Sequence, residues 1–171
     1  MQKTKPVIRS LERKHIPEIT QAFQDLGWKK PASQYERYLV QQKMNIRDVY
    51  VAFVEEQFAG YITISWESSY SLFRKRNIPE IVDFNVLPKF RRRGIGTQLM
   101  DKAEHEISKI SPVAGIGVGM TADYGAAQRL YVLRGYIPDG LGLHWRGHHV
   151  RFGEEVKVDD DLGLYFTKDL K

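Results

Sequence analysis

Hydrophobic and polar residues alternate along this chain with two periods, one typical of strands and one typical of helices. Alternating β-branched and aromatic residues predict strands over 7–11, 48–54, 58–66 and 80–86, and a last strand around Leu162, Leu164 and Phe166. Apolar spacings of three and four predict helices over 15–26, 31–42, 94–109 and 123–134. The apolar run 112–120 is predicted to be a strand between the last two helices.

This order of elements predicts an α/β fold with a mixed sheet and helices on both of its faces. A single domain over 1–171 is expected, because a chain of 171 residues supports one core. Two segments have no steady period: 67–79 is predicted to be a loop, and 140–161 is predicted to be a polar insertion that is functional or mobile.

Composition excludes several classes of protein. The chain has no cysteine, no charged-then-apolar leader and no run of eighteen apolar residues, so we expect a cytoplasmic protein without disulfides or a membrane span. Much of the net charge of +5 lies in 74–76 and 89–93. Such local clusters suit one anionic ligand better than a nucleic acid, which needs a broader basic stripe.

The stretch Arg91-Arg92-Arg93-Gly94-Ile95-Gly96 joins the strand 80–86 to the helix 94–109. Glycines let the backbone approach a ligand closely, and the first N–H groups of a helix are unpaired and partly positive. A diphosphate is therefore the predicted ligand. The stretch has neither the G-x-G-x-x-G spacing of dinucleotide folds nor the Lys-Ser or Lys-Thr of P-loops.

Two motifs in this order resemble a known family. Val86-Leu87-Pro88 is followed by Arg91-x-x-Gly94-x-Gly96, and about thirty residues later comes Ala127-x-x-Leu130-Tyr131-x-x-x-Gly135-Tyr136. Together they resemble the acetyl-CoA site and the second motif of the GCN5-related N-acetyltransferase (GNAT) family. The resemblance covers essentially the whole chain and implies a mostly antiparallel sheet with a splayed central strand pair.

The resemblance also assigns residues to acetyl-CoA. It implies that main-chain groups of Phe84, Asn85 and Val86 pair with the pantetheine arm of the cofactor. The diphosphate would be bound by backbone N–H groups and side-chain charges of Arg91, Arg92, Arg93, Gly94, Ile95, Gly96 and Thr97. Tyr124 stands where the family usually has Asn, so that we expect it either to stack on the arm or to cap the helix region.

Acetyl transfer to an amine requires a base for the ammonium proton and an acid for the departing thiolate. Tyr131 aligns with the tyrosine that is the general acid in much of the family, and a phenol with a pKa of about 10 is protonated at neutral pH. For the base, Asp83 is the first choice and Glu80 the second. Three residues apart, they would face opposite sides of a regular strand.

The predicted activity is acetyl-CoA-dependent transfer of an acetyl group directly to a primary amine of a small molecule. The alternatives are acetylation of a protein N-terminus or lysine, a non-catalytic acyl-CoA sensor, and a basic nucleic-acid-binding module. Tyr131 argues against the sensor, because a binder has no need of an acid. No metal is expected, because His148 and His149 are adjacent and would point apart on a strand. We expect neither a nucleic-acid nor a membrane partner, and a monomer or homodimer.

Overall fold

The computed structural model describes residues 5–171. Its strands are β1 (Val7–Ser10), β2 (Arg47–Val54), β3 (Gln57–Ser65), β4 (Glu80–Val86), β5 (Val113–Gly119), β6 (Ile137–Trp145), β7 (His148–His149) and β8 (Leu162–Asp169). Its α-helices are α1 (Ile16–Gln24), α2 (Ala32–Lys43), α3 (Ser71–Lys75), α4 (Ile95–Ser108) and α5 (Gly125–Leu133). Short 3₁₀ turns occupy Arg13–His15, Pro88–Phe90 and Ala122–Tyr124.

These elements fall into two compact units, and β4 contributes to both. The first unit holds residues up to Trp66 together with 82–106, and its strands are ordered β1-β2-β3-β4. The second unit holds 67–81 and 107–171, and its strands are ordered β4-β5-β8-β6-β7. The pairing of β4 with β5 is parallel, whereas β1–β2, β2–β3, β5–β8, β6–β8 and β6–β7 are antiparallel. The predicted α/β class with a mixed, mostly antiparallel sheet is confirmed.

In the first unit, the hydrophobic core contains interlocking aromatic rings. Phe23 of α1 contacts the rings of Phe58 and Tyr61 edge-on, with centroids 5.7 and 5.9 Å apart. Tyr35 of α2 lies edge-on to Tyr61 at 5.5 Å. These rings anchor both helices on β3, since edge-to-face aromatic pairs add stability beyond the area they bury.

The predicted apolar face of α4 is confirmed except at its end. Ile95, Leu99, Ala103 and Ile107 are buried. Ile110 would follow at the same spacing of three and four, but it is 72% exposed. The helix ends at Ser108, so Ile110 lies beyond the last turn and no longer follows the helical period.

In the second unit, glycines on one face of β5 make room for aromatic rings. A Cβ at Gly115 would lie 2.3 Å from the ring of Phe73, one at Gly117 would lie 2.9 Å from Tyr165, and one at Gly119 would lie 2.5 Å from Tyr124. Alanine at any of the three would therefore clash with a large ring. The predicted strand 112–120 is confirmed, and its alternating glycines have a packing function.

Two segments of the second unit contain more regular structure than their sequences predict. The predicted loop 67–79 contains α3, which is only five residues long and therefore too short to show a helical period. The predicted insertion 140–161 contains most of β6 and all of β7. The residues of β6 are exposed or half-buried, so they lack the hydrophobic alternation by which strands are recognised.

Among the helices within residues 5–171, none is long and apolar enough to cross a membrane.

Candidate active site

The turn between β4 and α4 has the backbone geometry of an anion-binding site. Arg92 and Gly94 both adopt left-handed conformations, with φ of 59° and 80°. Gln98 N donates a hydrogen bond to Gly94 O over 3.0 Å, and this bond is the first one of the helical pattern. The N–H groups of residues 95–97 come before it. They carry the partial positive charge of the helix N-terminus. A Cβ at Gly94 would meet no atom within 4 Å, which leaves space where the diphosphate is predicted.

Gly96 lets the first turn of α4 lie directly on β4. A Cβ at Gly96 would be 3.2 Å from Phe84 Cζ and 3.7 Å from Val86 Cγ2. Phe84 and Val86 therefore pack toward the helix, whereas Asn85 Nδ2 donates to Asp83 Oδ1 over 3.0 Å. The three side chains are all used in packing or in hydrogen bonds, and the ligand role of the main chain of 84–86 stays a prediction.

The three arginines of the turn are exposed but differently arranged. Arg91 donates from Nε to Val86 O over 3.1 Å, and so ties the turn to the end of β4. The guanidinium of Arg93 lies 5.5 Å from the centroid of the Phe90 ring. All three arginines add a full positive charge beside the N-terminus of α4, which favours an anionic ligand.

Strand β4 is interrupted at Asp83, which has a left-handed φ of 53°. Extended strands require negative φ, so the alternation of side chains is broken at this position. Just before it, Val82 O accepts a hydrogen bond from the hydroxyl of Thr63. Farther on, Leu87 N donates to Ala59 O over 2.9 Å. The prediction that Glu80 and Asp83 face opposite sides assumed a regular strand, which β4 is not.

The carboxylate of Asp83 accepts hydrogen bonds from five donor groups in the first unit. Its side chain is 14% exposed. Oδ1 accepts from Lys30 Nζ at 2.5 Å and from Asn85 Nδ2 at 3.0 Å. Oδ2 accepts from Gln34 Nε2 at 2.8 Å, Tyr38 OH at 2.7 Å and Tyr61 OH at 2.6 Å. A carboxylate offers about four lone-pair positions, so this one is saturated.

Glu80, the second carboxylate predicted as a base, lies in the second unit and is 6% exposed. Its Oε2 accepts a hydrogen bond from the hydroxyl of Ser68, and the same hydroxyl accepts one from Tyr70 N over 3.0 Å. Burial, and then the negative charge of Glu80, raise the pKa of Tyr165 to about 12. The charge of Glu80 therefore acts on Tyr165, an aromatic residue of the second unit.

Tyr131, the predicted acid, lies in α5 and is 5% exposed. Burial raises the pKa of its phenol further above the ordinary value, so it is protonated at neutral pH. Its ring packs against Tyr136 with centroids 6.1 Å apart, and its hydroxyl is hydrogen bonded to no residue within 5–171. The structure thus holds a protonated donor whose hydroxyl is not used within the described protein.

Tyr124 immediately precedes α5 and has contacts within the second unit. Its ring covers Gly119, and its hydroxyl donates to Asp160 Oδ1 over 3.1 Å. Burial, followed by the nearby charge of Asp160, raises the pKa of Tyr124 to about 12. The backbone of Tyr124 is the N-cap of α5, but its side chain makes no capping bond. Its predicted contact with the cofactor arm stays a prediction.

An aromatic and histidine cluster of the second unit contains residues that the sequence did not single out together. Tyr70 stacks on Tyr165 with centroids 3.7 Å apart, and its hydroxyl contacts Asp139 Oδ2 at 2.6 Å and His149 Nε2 at 2.8 Å. The ring of His144 lies 5.5 Å from that of His149. A surface cleft of about 700 Å³ is lined by His148, His149, Arg151, Phe152, Gly153 and Glu154.

The adjacent histidines of β7 have different partners, as their strand positions predict. His148 Nε2 lies 2.7 Å from Glu154 Oε1, whereas His149 contacts Tyr70. Within residues 5–171, no group of three or more His, Asp or Glu side chains is arranged to hold a metal ion.

The residues around Asp83 were missed because they are scattered along the chain. Lys30 lies between two predicted helices, where a single lysine is an ordinary surface residue. Gln34 and Tyr38 are four residues apart and therefore share one face of α2. That spacing was the only available signal, and nothing in it pointed to β4.

Comparisons with known proteins identify the family of this chain. The sequence model of the acetyltransferase (GNAT) family matches residues 16–136. The chain belongs to the GNAT family of acetyltransferases. An uncharacterized N-acetyltransferase of Archaeoglobus fulgidus is 31% identical over 96 residues, which are 54% of this chain and 62% of that protein, so the match spans less than two thirds of the relative.

Solved acetyltransferase structures share the fold over nearly the whole chain. One is yncA of Salmonella typhimurium with its cofactor acetyl-CoA, at a TM-score of 0.68 and 18% identity, with 97% of this chain and 94% of that chain covered. Another is RimL, a ribosomal L7/L12 α-N-protein acetyltransferase, at a TM-score of 0.71 and 12% identity, with 97% and 91% covered. At these identities the likeness shows the fold, and the family membership predicted from the two motifs is confirmed by the sequence model.

Proposed function

We propose that this GNAT protein transfers the acetyl group of acetyl-CoA directly to a primary amine of a small molecule. The observation that carries the proposal is the turn before α4. Its two left-handed residues, the open position at Gly94 and the N–H groups of 95–97 suit a diphosphate. Acetyl-CoA, which supplies the thioester, is the diphosphate-containing acyl donor that the family implies.

The residues of this chain divide the binding between charge and main chain. Arg91, Arg92 and Arg93 add positive charge beside the N–H groups that would bind the diphosphate. The main chain of 84–86 would bind the pantetheine arm, as the family resemblance implies. The side chains of these residues already pack on α4 or bond to Asp83. Val86 O already accepts a hydrogen bond from Arg91. The other main-chain groups of 84–86 are therefore better candidates for binding the arm.

Proton transfer is assigned to Tyr131 and Glu80. Tyr131 is protonated, and its hydroxyl has no partner among the described residues, so it can donate to a thiolate. Asp83 was the first choice as base, but its oxygens are saturated by five donors. We therefore assign the base to Glu80, acting directly or through water.

The acceptor is proposed to be a small amine, with the Tyr70, Asp139 and His149 cluster as a candidate acceptor-binding surface. Polar groups held by stacked aromatic rings are typical of small-molecule sites. The alternative is a protein N-terminus or lysine, and the similarity to RimL supports that alternative. A cytoplasmic location and a monomeric or dimeric state stay predictions.

A panel of amines with acetyl-CoA tests the proposal, with free thiol release as the readout. Polyamines, amino acids, aromatic amines and peptides with free N-termini form its arms. Thiol release that depends on one of the small amines, with mass spectrometry of the acetylated product, is the expected result. Release with peptides alone would establish the protein alternative, and CoA binding without any release would favour the acyl-CoA sensor.

A further inference from the structure

We infer that Lys30 and Asp83 are a positioning pair that fixes the left-handed turn of β4 and thereby the direction of the main chain of 84–86. The inference rests on the proposed function, because those main-chain groups are the ones proposed to bind the pantetheine arm of CoA. Asp83 then acts through the backbone that follows it and is not a proton acceptor.

The first support is the geometry of Asp83 itself. A residue other than glycine pays a conformational cost in the left-handed region, although Asp tolerates it better than most. With φ of 53° in the middle of β4, Asp83 needs contacts elsewhere that hold this conformation. Its carboxylate supplies them, since both oxygens are fully hydrogen bonded.

The second support is where the donors come from. Lys30 lies in the segment between α1 and α2, Gln34 and Tyr38 lie in α2, and Tyr61 lies in β3. All reach the same carboxylate, so one side chain of β4 is tied to three separate parts of the first unit. Lys30 is the only charged member among these donors, and its Nζ also donates to Tyr61 OH over 3.0 Å.

The third support is the partial burial of the pair. The side chains of Lys30 and Asp83 are 21% and 14% exposed. Removing one partner of such a pair leaves the other charge poorly solvated, so the remaining group must move or neutralise. Loss of the Lys30 ammonium would leave the negative charge of Asp83 with four neutral donors and no cation. The carboxylate would then be held less firmly, and so would the direction of the backbone after it.

Residues 84–86 are positioned to transmit such a change. Phe84 and Val86 pack on Gly96 of α4, and Asn85 Nδ2 donates back to Asp83 Oδ1. None of the five donors to Asp83 lies in α4, the helix that carries the N–H groups of 95–97. Binding of the pantetheine arm should therefore depend on Lys30, and binding of the diphosphate should not.

Isothermal titration of CoA and of ADP tests this separation. ADP carries a diphosphate but no pantetheine arm. For Lys30→Met we expect the affinity for CoA to fall about tenfold, the scale of a lost charged hydrogen bond, and the affinity for ADP to stay within about twofold. Lys14→Met is the matched control, because Lys14 makes an exposed ion pair with Glu12 and should leave both affinities unchanged.

Asp83→Asn and the double variant Lys30→Met with Asp83→Asn complete the design. Asn tolerates the left-handed region, so this variant keeps the backbone preference while it loses the charge. For a positioning pair, the double variant should bind CoA no worse than the single variants. If Lys30→Met does not fold, as judged by circular dichroism, Asp83→Asn alone carries the comparison of CoA with ADP.

Equal losses of CoA and ADP affinity would overturn the inference, because they would indicate general damage to the fold. Unchanged CoA affinity in both single variants would overturn it too. Unchanged CoA affinity with lost turnover in Asp83→Asn would instead establish Asp83 as the base. Wild-type protein that binds neither CoA nor ADP would refute the proposed function itself, a result distinct from a failure confined to the variants.

Discussion

The hydroxyl group of Tyr70 donates a hydrogen bond of 2.6 Å to Oδ2 of Asp139. A hydroxyl has a single proton, and an ionised carboxylate can only accept, so the contact of Tyr70 with His149 must be one in which Nε2–H of His149 donates. This assigns the proton of a neutral His149 to Nε2 and leaves Nδ1 as an acceptor. Asp139 is itself oriented by Leu141 N, which donates to Oδ1 over 2.9 Å.

Tyr70→Phe should therefore release His149 without disturbing the stacked rings. If the cluster binds the acceptor, the KM for the amine should rise by about threefold to tenfold, the effect of one lost hydrogen bond, while the affinity for acetyl-CoA stays the same. Steady-state kinetics with an identified amine measures this. Tyr50→Phe is a matched control, because it removes a Tyr–Asp bond in the first unit. An unchanged KM would place the acceptor elsewhere.

Gly94 allows a test of the diphosphate site in which charge is the only large change. Gly94 has φ of 80° and open space around it, and both Asn and Asp tolerate left-handed conformations. Gly94→Asp should abolish the thermal stabilisation by millimolar CoA, because it places a carboxylate beside the ligand. Gly94→Asn should keep most of it.

Differential scanning fluorimetry at several CoA concentrations compares the two Gly94 variants. Loss of stabilisation in both would show that bulk, and not charge, is the cause. Normal stabilisation in Gly94→Asp would show that the diphosphate binds at another place.

The motif-bearing parts of the molecule could be predicted from sequence because their signals are local. The turn at 91–97 combines a glycine spacing with flanking periods, and the structure places it between β4 and α4 as expected. The role of Asp83 could not be predicted, because its left-handed φ and its partners at 30, 34, 38 and 61 arise from tertiary contacts. β6 was missed for a related reason, since it is mostly exposed and carries no hydrophobic alternation.

The pH dependence of turnover should distinguish the two carboxylates. If Glu80 is the base, Glu80→Gln should reduce turnover most below the pKa of the amine, and raising the pH should partly restore it because more amine is already neutral. If Asp83 positions β4, the loss in Asp83→Asn should be independent of pH. Pre-steady-state or steady-state rates from pH 6 to 9 give both profiles. The opposite assignment of the two profiles would restore Asp83 as the base.

His15 gives the fold a predictable sensitivity to acid. It is 5% exposed, its Nδ1 accepts a hydrogen bond from Glu12 N over 3.0 Å, and burial lowers its pKa. Because the folded pKa lies below the unfolded value of about 6.5, the unfolded chain binds more protons between the two values. The free energy of unfolding should therefore fall as the pH drops below about 6.5.

Urea unfolding of wild type and His15→Asn at pH 7 and pH 5 measures this contribution. Asn keeps an acceptor for Glu12 N but does not titrate. The free energy of unfolding should therefore differ less between pH 7 and pH 5 in the variant than in wild type. Part of the decrease in the free energy of unfolding should remain in the variant, because His144 also titrates. Burial, followed by the charges of His149 and His148, lowers the pKa of His144. An equal decline in both proteins would show that His15 is not responsible.

Tyr131→Phe should separate binding from chemistry. Removing one hydroxyl keeps the packing of the ring against Tyr136, so the affinity for acetyl-CoA should be nearly unchanged. Turnover should fall by about a hundredfold or more, the range that general acid catalysis contributes, because the departing thiolate loses its proton donor. With an acyl donor whose thiol is more acidic, turnover should fall less on mutation, since its thiolate needs the proton less. Turnover within about twofold of wild type at saturating acetyl-CoA would make Tyr131 a packing residue and would favour the acyl-CoA sensor, because the structure would then hold the fold without its proposed acid.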